Sequence, residues 1–232
     1  MYTTLFFDLD HTLWDYKTNS EKTLLHLYEY FDLEKLGIGA PSALFNTFET
    51  INEGLWRSFD RMEIDKTELR NRRFDNILQT LLPEHGHLAN PMSELFLEHC
   101  PKMGCLMHGA AEVLLYLKEK YNLSIITNGF DDTQSTKLKH AGIDHFFDYL
   151  ITSDSCGAKK PAVEVFDYAL QKSGTTKDEV LYVGDNFHTD ILGAHGAGWH
   201  TIYFNSNNYQ PAIAENVATF SIDCLTELRN IL

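Results

Sequence analysis

Two aspartates, Asp8 and Asp10, stand two positions apart where an apolar run ends, in TTLFFDLDHTL at 3–13. Burying like charges side by side is unfavourable, so either the strand ends in water or its carboxylates share a cationic partner. Three other segments carry chemistry that complements this pair, two at the ends of apolar runs and one before a helix. Thr127 closes LSIIT (123–127) and is followed by Asn128 and Gly129. Lys159 and Lys160 precede Pro161, and Asp185 closes VLYVGD (180–185) with Asp190 five residues later. Taken singly, each has an ordinary explanation: a solvated strand end, a Thr-Asn-Gly turn, an exposed lysine pair before a helix, an Asx turn and a helix cap. Taken together they supply carboxylates, a hydroxyl with nearby amides, and an ammonium.

That inventory suits phosphoryl transfer. Asp8 can attack phosphorus as a nucleophile, splitting a hard hydrolysis into formation and breakdown of an aspartyl phosphate. Asp10 returns to the same side of an extended chain, so it can protonate the leaving oxygen and then take a proton from water. Carboxylates from the first and fourth strands would hold Mg²⁺, a hard ion that prefers oxygen ligands. Lys160, the Thr127 hydroxyl and the amides near Asn128 and Gly129 would bind the phosphoryl oxygens.

Positioning those groups requires a particular set of elements. Five β-like runs occur at 4–8, 123–127, 147–151, 180–185 and 200–204, separated by helix-like segments at 110–121, 133–142 and 162–174. Alternation of this kind predicts an α/β fold with a Rossmann-like three-layer core, its parallel sheet covered on both faces. Ligands in such sheets bind beyond the carboxyl ends of the strands, where the polar residues above fall. Gly142, Gly174 and Gly198 sit where helix C-caps are expected. More than ninety residues separate Asp10 from the helix before the second strand, too many for a structureless loop. Their periodicity is helical: 18–31 opens with Thr18 and Glu21 in capping-box spacing, 43–60 carries Phe45, Phe48, Trp56 and Phe59, and 66–82 aligns Leu69, Phe74, Ile77 and Leu81. The expected organisation is a discontinuous catalytic core, 1–15 and 99–232, with an all-helical module at 16–98.

The segments FDLDHTL, IITNG, GAKKP and VGDNFHTD resemble, in order, the four motifs of the haloacid dehalogenase-like (HAD) phosphatase superfamily. The resemblance covers the whole chain, because that family also carries a helical cap after its first motif. It implies Asp8 as nucleophile, Asp10 as acid/base, Thr127 as phosphate ligand, Lys160 as the charge-stabilising lysine and Asp185 as a Mg²⁺ ligand. Asp190 matches an acid that either joins the metal's shell or orients the lysine, and Asp10 would offer the metal its backbone carbonyl. The dehalogenases lack an aspartate at the position of Asp10, so the chain looks like a phosphatase. Its cap segment NEGLWRSFDRMEIDKTELRNRRF is similar to that of bacterial pyrimidine 5′-nucleotidases. On that likeness the substrate is a small phosphorylated metabolite, a nucleoside monophosphate. Trp56 or Phe59 would stack on a base, with Arg57 or Arg73 at sugar or phosphate. The competing explanation is that Trp56 and Phe59 pack within the cap and the arginines are solvated.

Composition narrows the field further. The 232 residues carry a formal net charge of −14, a surface that repels nucleic acid and anionic membrane. No apolar run is long enough to span a bilayer, and no basic-then-apolar leader opens the chain, so a cytoplasmic location is expected. Cys100, Cys105, Cys156 and Cys224 show no framework spacing and read as reduced thiols. His99, Cys100, Cys105 and His108 cluster in sequence but match no common structural-zinc spacing. Rival readings on the same fold are a phosphoglycolate or sugar-phosphate phosphatase and a phosphomutase. From another class comes a phospho-accepting receiver module, though receivers are about half this length and lack the two-apart aspartates.

Overall fold

The computed structural model describes residues 1–206 and 217–232. It divides into two compact units, Met1–Tyr16 with Gly104–Leu232, and Lys17–Met103. In the first unit, strands β1 (Thr4–Phe7), β2 (Asn122–Thr127), β3 (Tyr149–Thr152), β4 (Val180–Gly184), β5 (His200–Phe204) and β6 (Phe220–Ile222) form, among the described residues, one sheet in the order β3-β2-β1-β4-β5-β6. Every neighbouring pair is parallel. β1 lies at the centre and all four of its residues are buried, which explains its unbroken apolar run where a one-sided strand would alternate.

Register sets the site. Phe7 pairs with Ile125 on one side and Val183 on the other, and the Asp8 amide donates to the Val183 carbonyl at 2.9 Å. Asp8 is thus one residue beyond the ladder, and Thr127 and Asp185 lie two residues beyond the partners of Phe7. The chain order reverses across β1, with β2 on one side and β4 on the other, so these ends meet at the switch point of the sheet. A core of Phe6, Ile126, Phe166, Val180, Tyr182 and Trp199 fills one face.

The second unit is helical: α1 (Tyr16–Tyr30, whose first residue belongs to the first unit), α2 (Leu33–Leu36), α3 (Pro41–Asp60), α4 (Lys66–Leu81) and α5 (Ala89–His99). Phe48 of α3, Phe74 of α4 and Phe96 of α5 meet with ring centroids 5.0–6.2 Å apart, the packing their helical spacing predicts. The capping box lies elsewhere than expected. Thr18 and Glu21 fall inside α1, which begins two residues earlier, whereas Asp65 caps α4: its side chain accepts from the Glu68 amide at 2.8 Å and Glu68 returns the bond at 3.2 Å.

Among the described residues the remaining α-helices belong to the first unit. They are α6 (Ala110–Lys118), α7 (Asp131–His140), α8 (Ser153–Cys156), α9 (Val163–Ser173), α10 (Leu192–Gly196) and α11 (Leu228–Ile231), with a π-helical turn at Phe187–Ile191 before α10. Gly174 ends α9 with a positive φ of 67°, a geometry that favours glycine. Among the described residues no helix is long and apolar enough to cross a membrane. The four cysteines are free thiols.

Candidate active site

Lys160 is the hub of the strand ends. Its side chain is 2% exposed, and its ammonium donates to Asp8 Oδ1 at 2.6 Å, the Ile126 carbonyl at 3.0 Å and the Tyr182 hydroxyl at 2.8 Å. It also ion-pairs with Asp190 Oδ1 at 2.7 Å. A buried ammonium persists only when paired in this way. Burial alone would lower Lys160, but Asp190 and Asp8 outweigh it and hold the group above its ordinary value, so it stays cationic. Asn128 grips the backbone of this residue from both sides, Nδ2 to the Lys160 carbonyl at 2.9 Å and Oδ1 from the Lys160 amide at 2.8 Å. Its side chain therefore serves the lysine loop. Lys160 of the doublet reaches the Asp8 and Asp190 carboxylates.

The carboxylates around it repel one another. Burial pushes Asp8 up to about 7, against the pull of Lys160, while Asp190 and Asp10 push it further. Asp185 is raised well above the usual carboxylate range by burial and by the charges of Asp190 and Asp8, although the Thr12 hydroxyl donates to its Oδ1 at 3.1 Å. Oxygens of Asp8, Asp185 and Asp190 lie within 4.8 Å of one another. An all-oxygen donor set crowded against its own repulsion fits a hard divalent cation such as Mg²⁺. Asp190 is the most committed of the three, since Oδ1 pairs with Lys160 and Oδ2 accepts the Asn186 amide at 3.0 Å. Gly184 makes this possible: a Cβ there would stand 2.7 Å from the Asp190 carboxylate carbon.

Thr127 is buried, and its hydroxyl oxygen accepts the Gly129 amide at 3.1 Å, leaving the hydroxyl's own hydrogen to donate. Asp10 points to a different set of partners. Both its oxygens take the Lys137 ammonium, at 2.6 and 2.8 Å, and Oδ2 also accepts Gln134 Nε2 at 2.9 Å. Burial would raise Asp10, but Lys137 and these hydrogen bonds hold it below its ordinary value.

The sequence pattern of the haloacid dehalogenase-like hydrolases matches residues 5–204. The chain belongs to this family. Among its relatives, the HAD-hydrolase YfnB of Bacillus subtilis is 30% identical over 100% of this chain and 95% of its own. A crystal structure of YfnB bound to magnesium superposes with a TM-score of 0.88 at 28% identity, covering 100% of this chain and 98% of that one. The pyrimidine 5′-nucleotidase YjjG of Escherichia coli is 30% identical over 98% of this chain and 96% of its own. A glyceraldehyde 3-phosphate phosphatase of Methanothermobacter thermautotrophicus is 30% identical over 89% of this chain and 87% of its own.

In this HAD hydrolase, Asp8, Lys160, Asp185 and Asp190 come together from three segments far apart in sequence, with Thr127 at the neighbouring strand end. Trp56, Arg57 and Arg73 belong to the helical unit. Trp56 is half-buried and edge-on to Phe59 at 5.5 Å, and Arg57 is exposed and lies 3.8 Å from Glu53. Arg73 is only 4% exposed, its guanidinium over the rings of Phe48 and Phe96 at 5.9 and 5.6 Å, so it packs the interior of that unit. His99 and Cys100 fall in the helical unit, Cys105 and His108 in the other. Four polar residues were not anticipated: Thr12, Gln134, Lys137 and Tyr182. Gln134 and Lys137 carried a signal, three positions apart on the helix that follows Thr-Asn-Gly. Tyr182 carried none, since a tyrosine within an apolar strand reads as core.

Proposed function

We propose that the chain is a Mg²⁺-dependent phosphomonoester hydrolase that works through an aspartyl phosphate at Asp8, with pyrimidine nucleoside monophosphates as its substrates. One observation carries the chemistry: a buried carboxylate one residue past the central strand, gripped by a buried ammonium and crowded by two more carboxylates. The Asp8 oxygen forms a bond to phosphorus as the bond from phosphorus to the leaving oxygen breaks. Asp10 acts in its protonated form, which the pull of Lys137 disfavours in the free site, so the proton must be taken up with the substrate. It delivers the proton that the leaving oxygen needs, and the alcohol departs. Water then attacks the phosphoryl group and gives its proton to Asp10, which frees Asp8 and releases inorganic phosphate. Lys160 neutralises charge on Asp8 and the transferring group throughout, and Asp190 keeps it aimed. The Thr127 hydroxyl donates to a phosphoryl oxygen. Mg²⁺ held by Asp8, Asp185 and the Asp10 carbonyl would add positive charge where the phosphoryl oxygens gather.

The substrate class rests on the full-length likeness to YjjG, which spans the helical unit as well as the catalytic one. The glyceraldehyde 3-phosphate phosphatase relative supports a second reading, a small sugar-phosphate phosphatase. Phosphate release with Mg²⁺ over UMP, dUMP, dTMP, glyceraldehyde 3-phosphate and phosphoglycolate separates them: selective turnover of the pyrimidine nucleotides is expected, and preference for a triose phosphate would replace that reading. Asp8→Asn is expected to abolish release of phosphate from every substrate, because an amide is a poor nucleophile. Near-normal turnover by that variant would overturn the mechanism.

A further inference from the structure

We propose that Lys137 and Gln134, on the helix after the Thr-Asn-Gly turn, are positioning residues that set the Asp10 carboxylate for proton transfer. This rests on the reading of Asp10 as the acid/base. Lys137 is 5% exposed on a helix whose other lysine, Lys139, faces solvent. Lysine is almost never buried unless paired. Its ammonium meets both Asp10 oxygens at 2.6 and 2.8 Å and stands 4.5 Å from the Trp14 ring and 5.5 Å from the Tyr16 ring. A carboxylate on one side and two aromatic faces on the other leave the ammonium little freedom. Trp14 is itself fully buried, and it bridges in β-fashion to Asp10 and to Leu106. The cage is therefore tied to the backbone of the residue it serves.

Gln134 is committed to Asp10 through one end of its carboxamide. It is 1% exposed; its Nε2 donates to Asp10 at 2.9 Å, yet its Oε1 has no hydrogen-bond partner among the described residues. An unsatisfied buried acceptor destabilises the fold, so an apolar side chain of similar length would suit packing better. The backbone is also shaped to admit this carboxamide: a Cβ on Gly129 would overlap the Gln134 amide group. Gly129, whose amide donates to the Thr127 hydroxyl, thus has a second task, which is to let Gln134 pass over it to Asp10.

A carboxylate fixed by three hydrogen bonds from two side chains meets the leaving oxygen in one geometry, and misplacing it weakens protonation more than it weakens attack by Asp8. The deficit must therefore grow with the basicity of the leaving group. The test compares kcat/KM for phenyl phosphate, whose leaving group is the more basic, with that for p-nitrophenyl phosphate. The variants are Gln134→Met, Lys137→Met and Asp10→Asn, with Mg²⁺ present. Both positioning variants are expected to lose about ten- to a hundredfold more on phenyl phosphate than on p-nitrophenyl phosphate, in the same sense as Asp10→Asn. Thermal melting checks that Gln134→Met is folded, and the leaving-group dependence is the readout that a merely structural role would not move. Equal losses on both substrates, or no loss, in a folded Gln134→Met would overturn the positioning role while leaving Asp10 as acid/base. Full activity in Asp10→Asn would instead remove the acid/base assignment, and the positioning role with it.

Discussion

At the scale of single residues, the chemistry depends on keeping one ammonium in place. Lys160 meets two carboxylates, a carbonyl and a phenol, and the phenol is the partner that only Tyr182 supplies. Tyr182 also donates to the Ile126 carbonyl at 3.0 Å, the same oxygen that Lys160 uses, so hydroxyl and ammonium are held in a triangle. Burial pushes this phenol well above its usual value, and the carboxylates Asp190, Asp8 and Asp185 push it the same way, so it remains a neutral donor. Tyr182→Phe removes one oxygen and keeps the ring that packs edge-on to Phe166. Urea unfolding is expected to show a loss of about 1 kcal/mol. Turnover of p-nitrophenyl phosphate is expected to fall modestly, far less than with Asp8→Asn. Asp8 and Asp185 were legible because their types conflict with the apolar runs they end, and Lys160 and Asp190 because they complete the same inventory in neighbouring loops. Tyr182 was not, since a tyrosine within an apolar strand conflicts with nothing until its neighbours are known, and Gln134 and Lys137 offered only their three-residue spacing on the helix after Thr-Asn-Gly. Arg73 illustrates the converse: an arginine between aromatics reads equally as ligand or as packing, and the rings of Phe48 and Phe96 surround it.

At the scale of elements, the site depends on how closely β4 and the π-helical turn can approach. Asp190 folds back over the end of β4, and its Oδ2 is bound by the Asn186 amide. Asn186 in turn accepts from the His188 and Thr189 amides at 3.0 and 3.1 Å, capping the turn that carries Asp190. A methyl group on residue 184 would fall 2.7 Å from both the Asp190 Cβ and its carboxylate carbon. Gly184→Ala is therefore expected to push Asp190 away from Lys160, costing about 1–3 kcal/mol through overpacking. It should also reduce phosphate release at least tenfold, measured with Mg²⁺ in a variant shown to be folded. Retention of full activity would mean that Asp190 does not set the lysine. Strand positions were readable because buried parallel strands are continuous apolar runs; HTIYF at 200–204 coincides with β5. β6 escaped notice because FSI is three residues long with two of them exposed. The capping box was misassigned for a local reason: Thr18-x-x-Glu21 has the right spacing, but helical geometry already holds at Tyr16, and Asp65-x-x-Glu68 has the same spacing at a true helix start.

At the scale of the whole molecule, charge is the governing quantity. The chain carries a formal charge of −14, yet its proposed substrate is an anion, so the strand ends must provide the attraction locally. Asp8, Asp10, Asp185 and Asp190 bring four negative charges when ionised, and Lys160 and Lys137 return two. A divalent cation would bring that set to neutrality before the phosphate arrives. A cation that binds the folded chain and not the unfolded one stabilises it by mass action, about 2.7 kcal/mol at a hundredfold excess over Kd, or roughly 5–10 °C in a protein of this size. Thermal melts in excess Mg²⁺ and in excess chelator are expected to differ by that order. Asp185→Asn separates the terms. Its carboxyl is raised in the folded state, so the ionised form is disfavoured there relative to the unfolded chain, and stability is lost as pH rises above the unfolded value. Near neutral pH and without metal, removing that charge is expected to leave the melting temperature equal or higher. With Mg²⁺ the variant is expected to gain little, because one ligand is gone, so parent and variant should cross over as metal is added. A parent protein whose melt does not respond to Mg²⁺, or an Asp185→Asn variant that responds as fully as the parent, would show that the repulsion among these carboxylates is relieved by something other than a metal ion.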